Sequence, residues 1–430
     1  MARTRLGGVM RAEIIAVGSE LLRPERSDTN SLFITERLNE IGIDVKAKSI
    51  VGDDRATLHA LVEGALARSE IVITTGGLGP TEDDLTREIV AAALGLPLET
   101  DERIVERIRA RFASRGLRMP DINRRQAEVP RGAVVLDNPN GTAPGLWIER
   151  EGHIVILLPG PPREMKGMFE VIVRERLSSK AGSRRLYRRV LRVTGRTESH
   201  TEEVVASSYA RWAAGPGSIE TTILASYGQI ELHLTAQGPD VVTAETALDA
   251  ATADVQALLG ADLYSTDGRT MEQVVGDLLR KGSMKIAVAE SCTGGLLASR
   301  LTDVPGSSDY VERGIVAYSN AAKVELLGVP AEVIDEHGAV SEAVAVAMAR
   351  GICRQSGTAI GIGVTGIAGP GGGTERKPVG MVCIAVTRPG LSPPDCRVRT
   401  FRFLGGRALV KSQASQAGLD MVRRWLLEVP

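Results

Sequence analysis

Along the chain, short apolar runs alternate with longer stretches whose apolar residues recur at helical spacing. The first run, residues 13–18, precedes an amphipathic stretch that ends at Gly42. The same order of strand and helix recurs over residues 44–67 and again over residues 71–94. Strands that alternate with amphipathic helices predict an α/β domain with a largely parallel sheet. Residues 1–10 precede this pattern and are expected to be an N-terminal extension.

Two changes in the pattern divide the rest of the chain. Between residues 176 and 268 the predicted elements are a strand at 187–193, a helix at 198–212, hairpin strands at 219–225 and 229–236, and a helix at 243–259. This order predicts a small α+β module. After residue 268 the alternation of strand and helix returns, which indicates a second α/β domain.

Composition limits the function classes that fit the chain. Of its 430 residues 43% are hydrophobic, and the formal net charge at pH 7 is -1. The length predicts two to three domains with ample core. The balanced charge and the 3% of aromatic residues argue against nucleic-acid binding. No apolar run approaches the ~20 residues of a membrane span, so we expect no membrane association.

The cysteines indicate a reducing compartment. All four lie in the last third of the chain, and none forms a Cys-x-x-Cys pair: Cys292, Cys353, Cys383 and Cys396. This spacing argues against zinc and for free thiols. The N-terminal extension has no apolar region of the kind that a signal peptide needs. A cytoplasmic location is therefore expected.

The segment ESCTGG at residues 290–295 is the strongest candidate for chemistry. It lies between a predicted apolar strand and a predicted helix start. Ser291 is thereby presented at a helix N-terminus, where we expect the backbone amides of residues 293–295 to point outward. Such amides stabilise an oxyanion or a phosphate. The alternative is that Ser291 or Thr293 only caps the helix.

A serine becomes a good nucleophile when a neighbouring base takes its proton. Of the five histidines only His337 lies in the C-terminal third, so a Ser-His-Asp triad does not fit. Lys323 is the better candidate because it follows a predicted strand and turn at residues 314–320. It would need burial or a nearby cation to lower its pKa, and its alternative is an ordinary solvated lysine. Cys292 is the rival nucleophile, or else a small packed core residue.

A third loop completes the candidate site. Residues 361–374 run from a predicted strand into a stretch dense in glycine. Glycine allows the backbone to approach a ligand closely, and such loops commonly hold phosphate or ribose. Because the carboxyl ends of parallel strands lie at one sheet edge, the three loops are expected to form one cleft there.

The C-terminal segments resemble a known family. They are ESCTGG at 290–295, PGSS at 305–308, VAYSNAAK at 316–323 and GIAGP at 366–370. These are similar to the PncC-type nicotinamide mononucleotide deamidase domain, which forms the C-terminal part of CinA proteins. The resemblance covers residues 275–425 and implies hydrolysis of the substrate carboxamide to nicotinate mononucleotide and ammonia, without a metal or other cofactor.

The resemblance also implies residue roles. Ser291 would attack the carboxamide, while Lys323 and Tyr318 move protons. Family members are expected to be homodimers or larger assemblies. Substrate contacts are expected from the turn whose amides are predicted to point outward and from the glycine-rich loop with Arg407. The residues are Thr293, Gly294, Gly295, Thr365, Gly366, Gly369, Gly371 and Arg407.

The N-terminal region has its own candidate site. The predicted strand at 71–75 opens into a glycine turn and then a helix start, which is typical of an anion site. Asp83 and Asp84 fit that role if a divalent cation such as Mg²⁺ links them to a phosphate. The alternative is that these acids only complement the helix dipole.

This region resembles the molybdopterin-binding fold of MoaB and MogA proteins. The similarity spans residues 11–175 and includes the loops at 138–145 and 157–165. It implies a three-layer α/β/α domain and, in CinA-type members, a metal-dependent ADP-ribose pyrophosphatase, although a pterin ligand fits the fold equally well. Asp83 and Asp84 would hold the metal, and the expected phosphate-binding residues are Gly76, Gly77, Thr81, Asn140 and Glu164.

CinA proteins carry a KH-type domain between these two parts. KH domains bind nucleic acid through a Gly-x-x-Gly loop, whereas residues 195–198 here read GRTE and lack the second glycine. A spacer or dimer element is therefore the favoured interpretation. Basic residues on and just before the first strand of this module keep nucleic-acid binding open as an alternative: Arg184, Arg185, Arg188, Arg189 and Arg192.

The prediction as a whole is a cytoplasmic enzyme that acts on nicotinamide mononucleotide and ADP-ribose. Its expected fold is α/β, with two three-layer α/β/α domains separated by the KH-like module. The alternative is a non-catalytic pterin- or nucleotide-binding protein, or a competence-related interaction protein. The predicted boundaries are 1–10, 11–175, 176–268 and 269–430.

Overall fold

The computed structural model describes residues 10–181, 185–226, 228–238, 240–390 and 395–429. The chain divides into two compact units, one of Met1–Tyr187 with Ala236–Glu245 and one of Arg188–Thr235 with Thr246–Pro430. Of the predicted N-terminal extension, all but Met10 lies outside the described residues. Arg184 also lies outside them.

The first unit contains a six-stranded mixed sheet. Its order is β2-β1-β3-β8-β7-β6, and a separate pair joins β4 to β5. Neighbours among β1, β2, β3 and β8 are parallel, while β7 and β6 are antiparallel additions. The strands are β1 Arg11–Val17, β2 Asp44–Val51, β3 Ile71–Thr75, β4 Leu98–Thr100, β5 Glu128–Pro130, β6 Val134–Leu136, β7 Gly145–Arg150 and β8 His153–Leu158.

Helices cover both faces of this sheet. Successive residues of β1 point to opposite faces, so Ile14 packs with Ile34 of α1 while Ile15 packs with Leu58 of α2. Two apolar clusters therefore sandwich the sheet, and the expected three-layer α/β/α arrangement is confirmed. The helices are α1 Asn30–Glu40, α2 Arg55–Arg68, α3 Thr86–Ala93, α4 Glu102–Ala113 and α5 Pro162–Ile172.

The middle residues form a four-stranded sheet of order β10-β11-β9-β12 with helices. The prediction of one continuous helix over 198–212 is wrong, because a 3-10 turn at Ala206–Ser208 divides this stretch into two helices. Serine hydroxyls compete for backbone hydrogen bonds, which weakens a helix at this point. The elements are β9 Arg185–Thr194, α6 Glu198–Val205, α7 Tyr209–Ala214, β10 Glu220–Ser226, β11 Gln229–Gly238, α8 Val241–Leu259 and β12 Leu263–Ser265.

A five-stranded sheet of order β14-β13-β15-β16-β17 forms the C-terminal domain. Strands β14, β13 and β15 are parallel, and β16 and β17 are antiparallel. The strands are β13 Ile286–Glu290, β14 Val311–Val316, β15 Ile360–Gly366, β16 Met381–Thr387 and β17 Cys396–Arg402. The helices are α9 Met271–Lys281, α10 Leu296–Thr302, α11 Asn320–Leu327, α12 Ala331–His337, α13 Glu342–Ser356 and α14 Arg407–Leu426.

This sheet is also covered on both faces. Val288 of β13 packs with Val410 of α14, whereas Ala289 packs with Met348 of α13 on the other face. The second three-layer domain is thereby confirmed. Among the described helices, none has both the length and the apolar character that crossing a bilayer requires.

Candidate active site

The three loops of the C-terminal site leave one edge of the sheet. Glu290, the last residue of β13, is level with Val316 of β14 and Val364 of β15. Beyond it, the Ser291 amide donates to the Val364 carbonyl at 3.0 Å, and the Ala317 amide donates to the Glu290 carbonyl at 2.8 Å. The prediction that these loops share one edge is therefore confirmed.

Ser291 and Lys323 lie within hydrogen-bond distance of each other. Lys323 belongs to the first turn of α11, where the Ser319 hydroxyl caps the helix by accepting from the Ala322 amide at 3.0 Å. The Lys323 Nζ lies 3.2 Å from the Ser291 Oγ and 3.1 Å from the Tyr318 carbonyl oxygen. Two side chains separated by 32 positions are thus brought together by the loops after β13 and β14.

Burial changes the titration of Lys323. The side chain is only 2% exposed, and both of its hydrogen-bond partners are neutral. Loss of hydration disfavours the ammonium form, so the pKa of Lys323 is lowered from its ordinary value. A larger fraction of neutral amine is the property that a general base requires.

Cys292 is in a poor position to act as the nucleophile. It is buried in the apolar cluster that includes Leu297 and Val364. This burial raises the pKa of Cys292 to about 12, so near neutral pH the sulfur stays a protonated thiol. Because the thiolate is the reactive form, the geometry favours Ser291.

Tyr318 is held differently from Ser291 and Lys323. Its side chain is 60% exposed, and its hydroxyl accepts from the Arg407 guanidinium at 3.0 Å. Arg407 also donates to the Gly369 carbonyl at 2.9 Å. The structure therefore brings Tyr318, Arg407 and Gly369 together. Tyr318 contacts Lys323 through its main-chain oxygen rather than its hydroxyl.

The backbone amides after Ser291 are not as predicted. The Gly294 amide donates to the Ser291 carbonyl at 3.1 Å, and the Gly295 amide donates to the Glu290 carboxylate at 3.1 Å. The expectation that the amides of residues 293–295 all point outward is wrong for these two. A side chain of the protein itself occupies the position in which an external anion was expected.

Glu290 has a structural role that the sequence analysis did not identify. Its carboxylate is 1% exposed and also accepts from the amides of Leu297 at 3.1 Å and Ala298 at 2.8 Å. It thus caps α10 from the preceding strand and compensates the positive end of the helix dipole. The sequence feature that could have indicated this capping role is an acid at the end of a buried strand, directly before Ser291.

Residues of the glycine-rich loop differ in what they contribute. The Thr365 hydroxyl donates to the Ala339 carbonyl at 2.7 Å, so it fixes the loop. Gly366 packs closely, since a Cβ there would lie 2.8 Å from the Met381 carbonyl oxygen. Gly371 has no described atom within 4 Å of its Cβ position. The start of the loop is thus held by a hydrogen bond and close packing, whereas no described atom packs against the Cβ position of Gly371.

In the first unit, a cleft of about 800 Å³ lies where β1, β3 and β8 end. Of the predicted site residues it brings Gly76, Gly77, Asp83, Asp84 and Glu164 into its wall. Thr81 and Asn140 are not among the residues of the wall. The Thr81 amide and hydroxyl donate to Asp84 at 2.9 and 2.5 Å, and the Asn140 side chain donates to the Arg163 carbonyl at 3.1 Å.

The glycine turn of this cleft is tightly constrained. Gly76 has a φ of 108°, and a Cβ there would lie 2.0 Å from the Val17 carbonyl oxygen. The buried Arg87 guanidinium donates to the carbonyls of Leu78 at 2.7 Å and Gly79 at 3.1 Å. Burial lowers the pKa of Arg87 to about 10. The sequence analysis did not identify this role of Arg87. An arginine on the apolar side of α3 is the sequence feature that could have indicated it.

Most of the charged side chains in the wall of this cleft are acidic. Among the described residues, no three His, Cys, Asp or Glu side chains are close enough to hold a metal ion by themselves. Mg²⁺ is commonly bound by one or two carboxylates together with substrate phosphates, and this donor set fits that mode. The carboxylates of the wall are Glu20, Glu25, Asp28, Asp53, Asp83, Asp84 and Glu164.

The arginines of the middle module are largely engaged within it. Arg189 pairs with Asp249 at 2.7 Å and Arg192 with Glu231 at 2.5 Å. Arg196, in the turn that replaces a Gly-x-x-Gly loop, pairs with Asp262 at 2.6 Å. These pairs favour a structural role for the basic strand. Arg188 is exposed, and the Arg185 side chain lies outside the described residues.

Two family models match the chain. The model of the CinA C-terminal domain matches residues 268–426. The model described as a probable molybdopterin binding domain matches residues 13–179. The matches coincide with the two three-layer domains.

Several known proteins are similar over nearly the whole chain. A CinA-like protein of Koribacter versatilis is 47% identical over 422 residues, which cover 97% of this chain and 100% of the relative. A CinA-like protein of Solibacter usitatus is 43% identical over 415 residues, which cover 96% and 98%. Among solved structures, the competence/damage inducible protein CihA from Agrobacterium tumefaciens is 37% identical to this chain. The match covers 35% of this chain and 90% of the CihA chain, with a TM-score of 0.34. Since both CinA-like relatives are at least 43% identical over at least 96% of the chain, the chain belongs to the CinA family.

Proposed function

We propose that the C-terminal domain hydrolyses the carboxamide of nicotinamide mononucleotide to nicotinate mononucleotide and ammonia. The observation that carries this proposal is the 3.2 Å contact between the Lys323 Nζ and the Ser291 Oγ. Burial lowers the pKa of this lysine, so its amine can accept the serine proton. The reaction class is acyl transfer to a serine followed by hydrolysis.

The first half-reaction transfers the acyl group to the serine. Neutral Lys323 takes the proton of the Ser291 hydroxyl while the Oγ bonds to the carboxamide carbon. The lysine then returns this proton to the amide nitrogen of the tetrahedral intermediate. The carbon–nitrogen bond breaks, ammonia leaves and an ester to Ser291 remains.

In the second half-reaction water replaces ammonia. Lys323, neutral again, takes a proton from water as the water oxygen bonds to the ester carbon. The carbon–Oγ bond breaks, Ser291 regains the proton, and nicotinate mononucleotide leaves. Because the amides of Gly294 and Gly295 are occupied, the amides of Cys292 or Thr293 are the candidates to stabilise the oxyanion. Arg407 is proposed to hold the nucleotide, together with the Tyr318 hydroxyl that it contacts.

Ammonia release from nicotinamide mononucleotide tests this proposal. Ser291→Ala should lower the rate by at least about a thousandfold because the nucleophile is lost. Cys292→Ser is the matched control and should retain activity, since the thiol is not used. The opposite pair of results would assign the reaction to the thiol and overturn the serine mechanism.

We further propose that the N-terminal domain is a metal-dependent ADP-ribose pyrophosphatase. The supporting observation is the cleft that combines a glycine turn with carboxylates. Asp83 and Asp84 would hold a divalent ion, which when bound would neutralise negative charge on the substrate phosphates. Gly76 and Gly77 would let the backbone approach the phosphates closely.

Hydrolysis of ADP-ribose with and without added Mg²⁺ tests this second activity. Asp84→Asn keeps the shape of the side chain and should abolish the metal-dependent rate. Asp137→Asn, which changes an exposed acid outside the cleft wall, is the control and should leave it unchanged. A rate that is independent of metal, or binding of a pterin without any hydrolysis, would contradict the proposal.

A further inference from the structure

A second lysine lies beside the turn that carries Ser291. Lys411 of α14 places its Nζ 3.4 Å from the position of a Cβ on Gly294. The Lys411 side chain is half-buried. Within the described part of the chain its ammonium has neither a hydrogen bond nor an ion pair. The proposed mechanism gives this charge no role.

Arg407 lies four positions earlier on the same helix. Residues spaced by four share one face of a helix, so Arg407 and Lys411 line the same side of α14. Both recorded partners of Arg407, the Gly369 carbonyl and the Tyr318 hydroxyl, are neutral. Glu290, the acid of the nearby turn, is already occupied by three backbone amides. Two positive charges therefore face the site without a carboxylate partner among the described residues.

A phosphate group is the ligand that suits this arrangement. A half-buried ammonium has lost part of its hydration, and a phosphate oxygen replaces it with a short charge-assisted hydrogen bond. Gly294 lies three positions after Ser291, and the hydrogen bond between them closes a turn whose ends are within about 7 Å of each other. A carbonyl at Ser291 and an anion beside Lys411 are thus close enough for one mononucleotide to present both.

We propose that Lys411 binds the phosphate of the substrate and makes the site select a nucleotide over its nucleoside. This inference rests on the proposed deamidase function and names the residue that sets its specificity. Lys411 would act by holding the substrate, while Ser291 and Lys323 carry out the chemistry. Removing its charge should therefore affect phosphorylated compounds alone.

The kinetic test compares nicotinamide mononucleotide with nicotinamide riboside. Lys411→Met removes the charge and keeps an unbranched side chain. We expect kcat/KM for the mononucleotide to fall roughly tenfold or more, mainly through KM, because a charge-assisted hydrogen bond is lost. The value for the riboside should not change. Lys281→Met, which removes the same charge from an exposed position in the last turn of α9, is the matched control and should affect neither substrate.

A binding test separates this inference from the deamidase proposal. Calorimetry measures binding and needs no turnover, so the affinities for ribose 5-phosphate and ribose can be determined on the Ser291→Ala chain. Lys411→Met in that background should weaken ribose 5-phosphate binding roughly tenfold and leave ribose unaffected. If the wild-type chain releases no ammonia but this dependence is found, the deamidase proposal fails and the phosphate site stands. Equal losses for phosphorylated and unphosphorylated ligands, or unchanged ribose 5-phosphate binding, would overturn the role of Lys411.

Discussion

At the scale of single residues, the proposed reaction depends on how Lys323 titrates. The Lys323 pKa is lower in the folded chain than in the unfolded chain, because burial disfavours the ammonium. The unfolded state therefore binds this proton more tightly, and folding is penalised below the folded-state pKa. The penalty fades as the pH rises from the folded-state pKa towards the unfolded-state value.

This linkage predicts the stability of Lys323→Met. The free energy of unfolding of the variant minus that of the wild type should decrease as the pH rises, because only the wild type loses the penalty. Urea unfolding between about pH 7 and pH 10, the range below an ordinary lysine pKa, measures the difference. Lys281→Met, which removes the same charge from an exposed position at the end of α9, is the matched control. A difference that stays constant or grows with pH would show that the folded-state pKa of Lys323 is not lowered.

Residue types allowed part of the site to be predicted from the sequence. A serine before a helix start, a scarcity of histidines and a lysine after a strand pointed to Ser291 and Lys323, which the fold brings to 3.2 Å. Arg87 and Glu290 were not predicted, because their roles depend on which backbone groups a buried charge reaches. That information belongs to the packing of elements and is absent from local sequence.

At the scale of elements, the cap formed by Glu290 positions the nucleophile turn. Its carboxylate accepts from three amides at the start of α10, so the charge compensates a helix end that would otherwise lack partners. We predict that Glu290→Gln lowers the free energy of unfolding by about 1–3 kcal/mol, because a buried charged acceptor is replaced by a neutral amide. Denaturant unfolding of the full chain measures this.

The matched control for Glu290→Gln is Glu312→Gln. Glu312 is on β14 and pairs with its neighbour Arg313 at the surface, where ion pairs contribute little to stability. Ammonia release should fall in the Glu290 variant and persist in the Glu312 variant, since only the former shifts the turn after Ser291. Equal stability of the two variants would contradict the capping role.

Elements themselves were predictable where the periodicity is strong. The alternation of strand and helix located the strands that carry both sites, including β3 and β13. The helix predicted over 198–212 was too long because a serine pair interrupts it. The prediction that the amides after Ser291 point outward was wrong for Gly294 and Gly295. Sequence propensity can locate the start of a helix, but it does not reveal which side chain will cap that helix.

At the scale of the whole molecule, the two proposed activities reside in different units. All residues of the acidic cleft belong to Met1–Tyr187, and all residues of the serine site belong to Thr246–Pro430. We therefore predict that Ser291→Ala leaves ADP-ribose hydrolysis within about twofold of the wild type, and that Asp84→Asn leaves ammonia release equally unaffected, because the two sites share no residues. Loss of both activities in either variant would contradict this separation.

The overall architecture was predictable to the level of α/β domains with a small module between them. Family resemblance added the three-layer arrangement, which the apolar clusters on both faces of each sheet confirm. The compact units do not follow the predicted boundaries, since most of the middle residues belong to the second unit. Boundaries of this kind depend on contacts between elements distant in sequence, and those boundaries stay a prediction.

The most direct test of the central claim is the pH dependence of kcat/KM for ammonia release from nicotinamide mononucleotide, in the wild type and in Lys323→Arg. The wild-type value should rise with pH along a limb whose apparent pKa lies below the ordinary lysine value of about 10.4, because neutral Lys323 is the reactive form. Lys323→Arg should be lower by at least about a hundredfold at every pH, since its guanidinium cannot be deprotonated. A flat wild-type profile, or an arginine variant with near wild-type activity, would show that Lys323 is not the base.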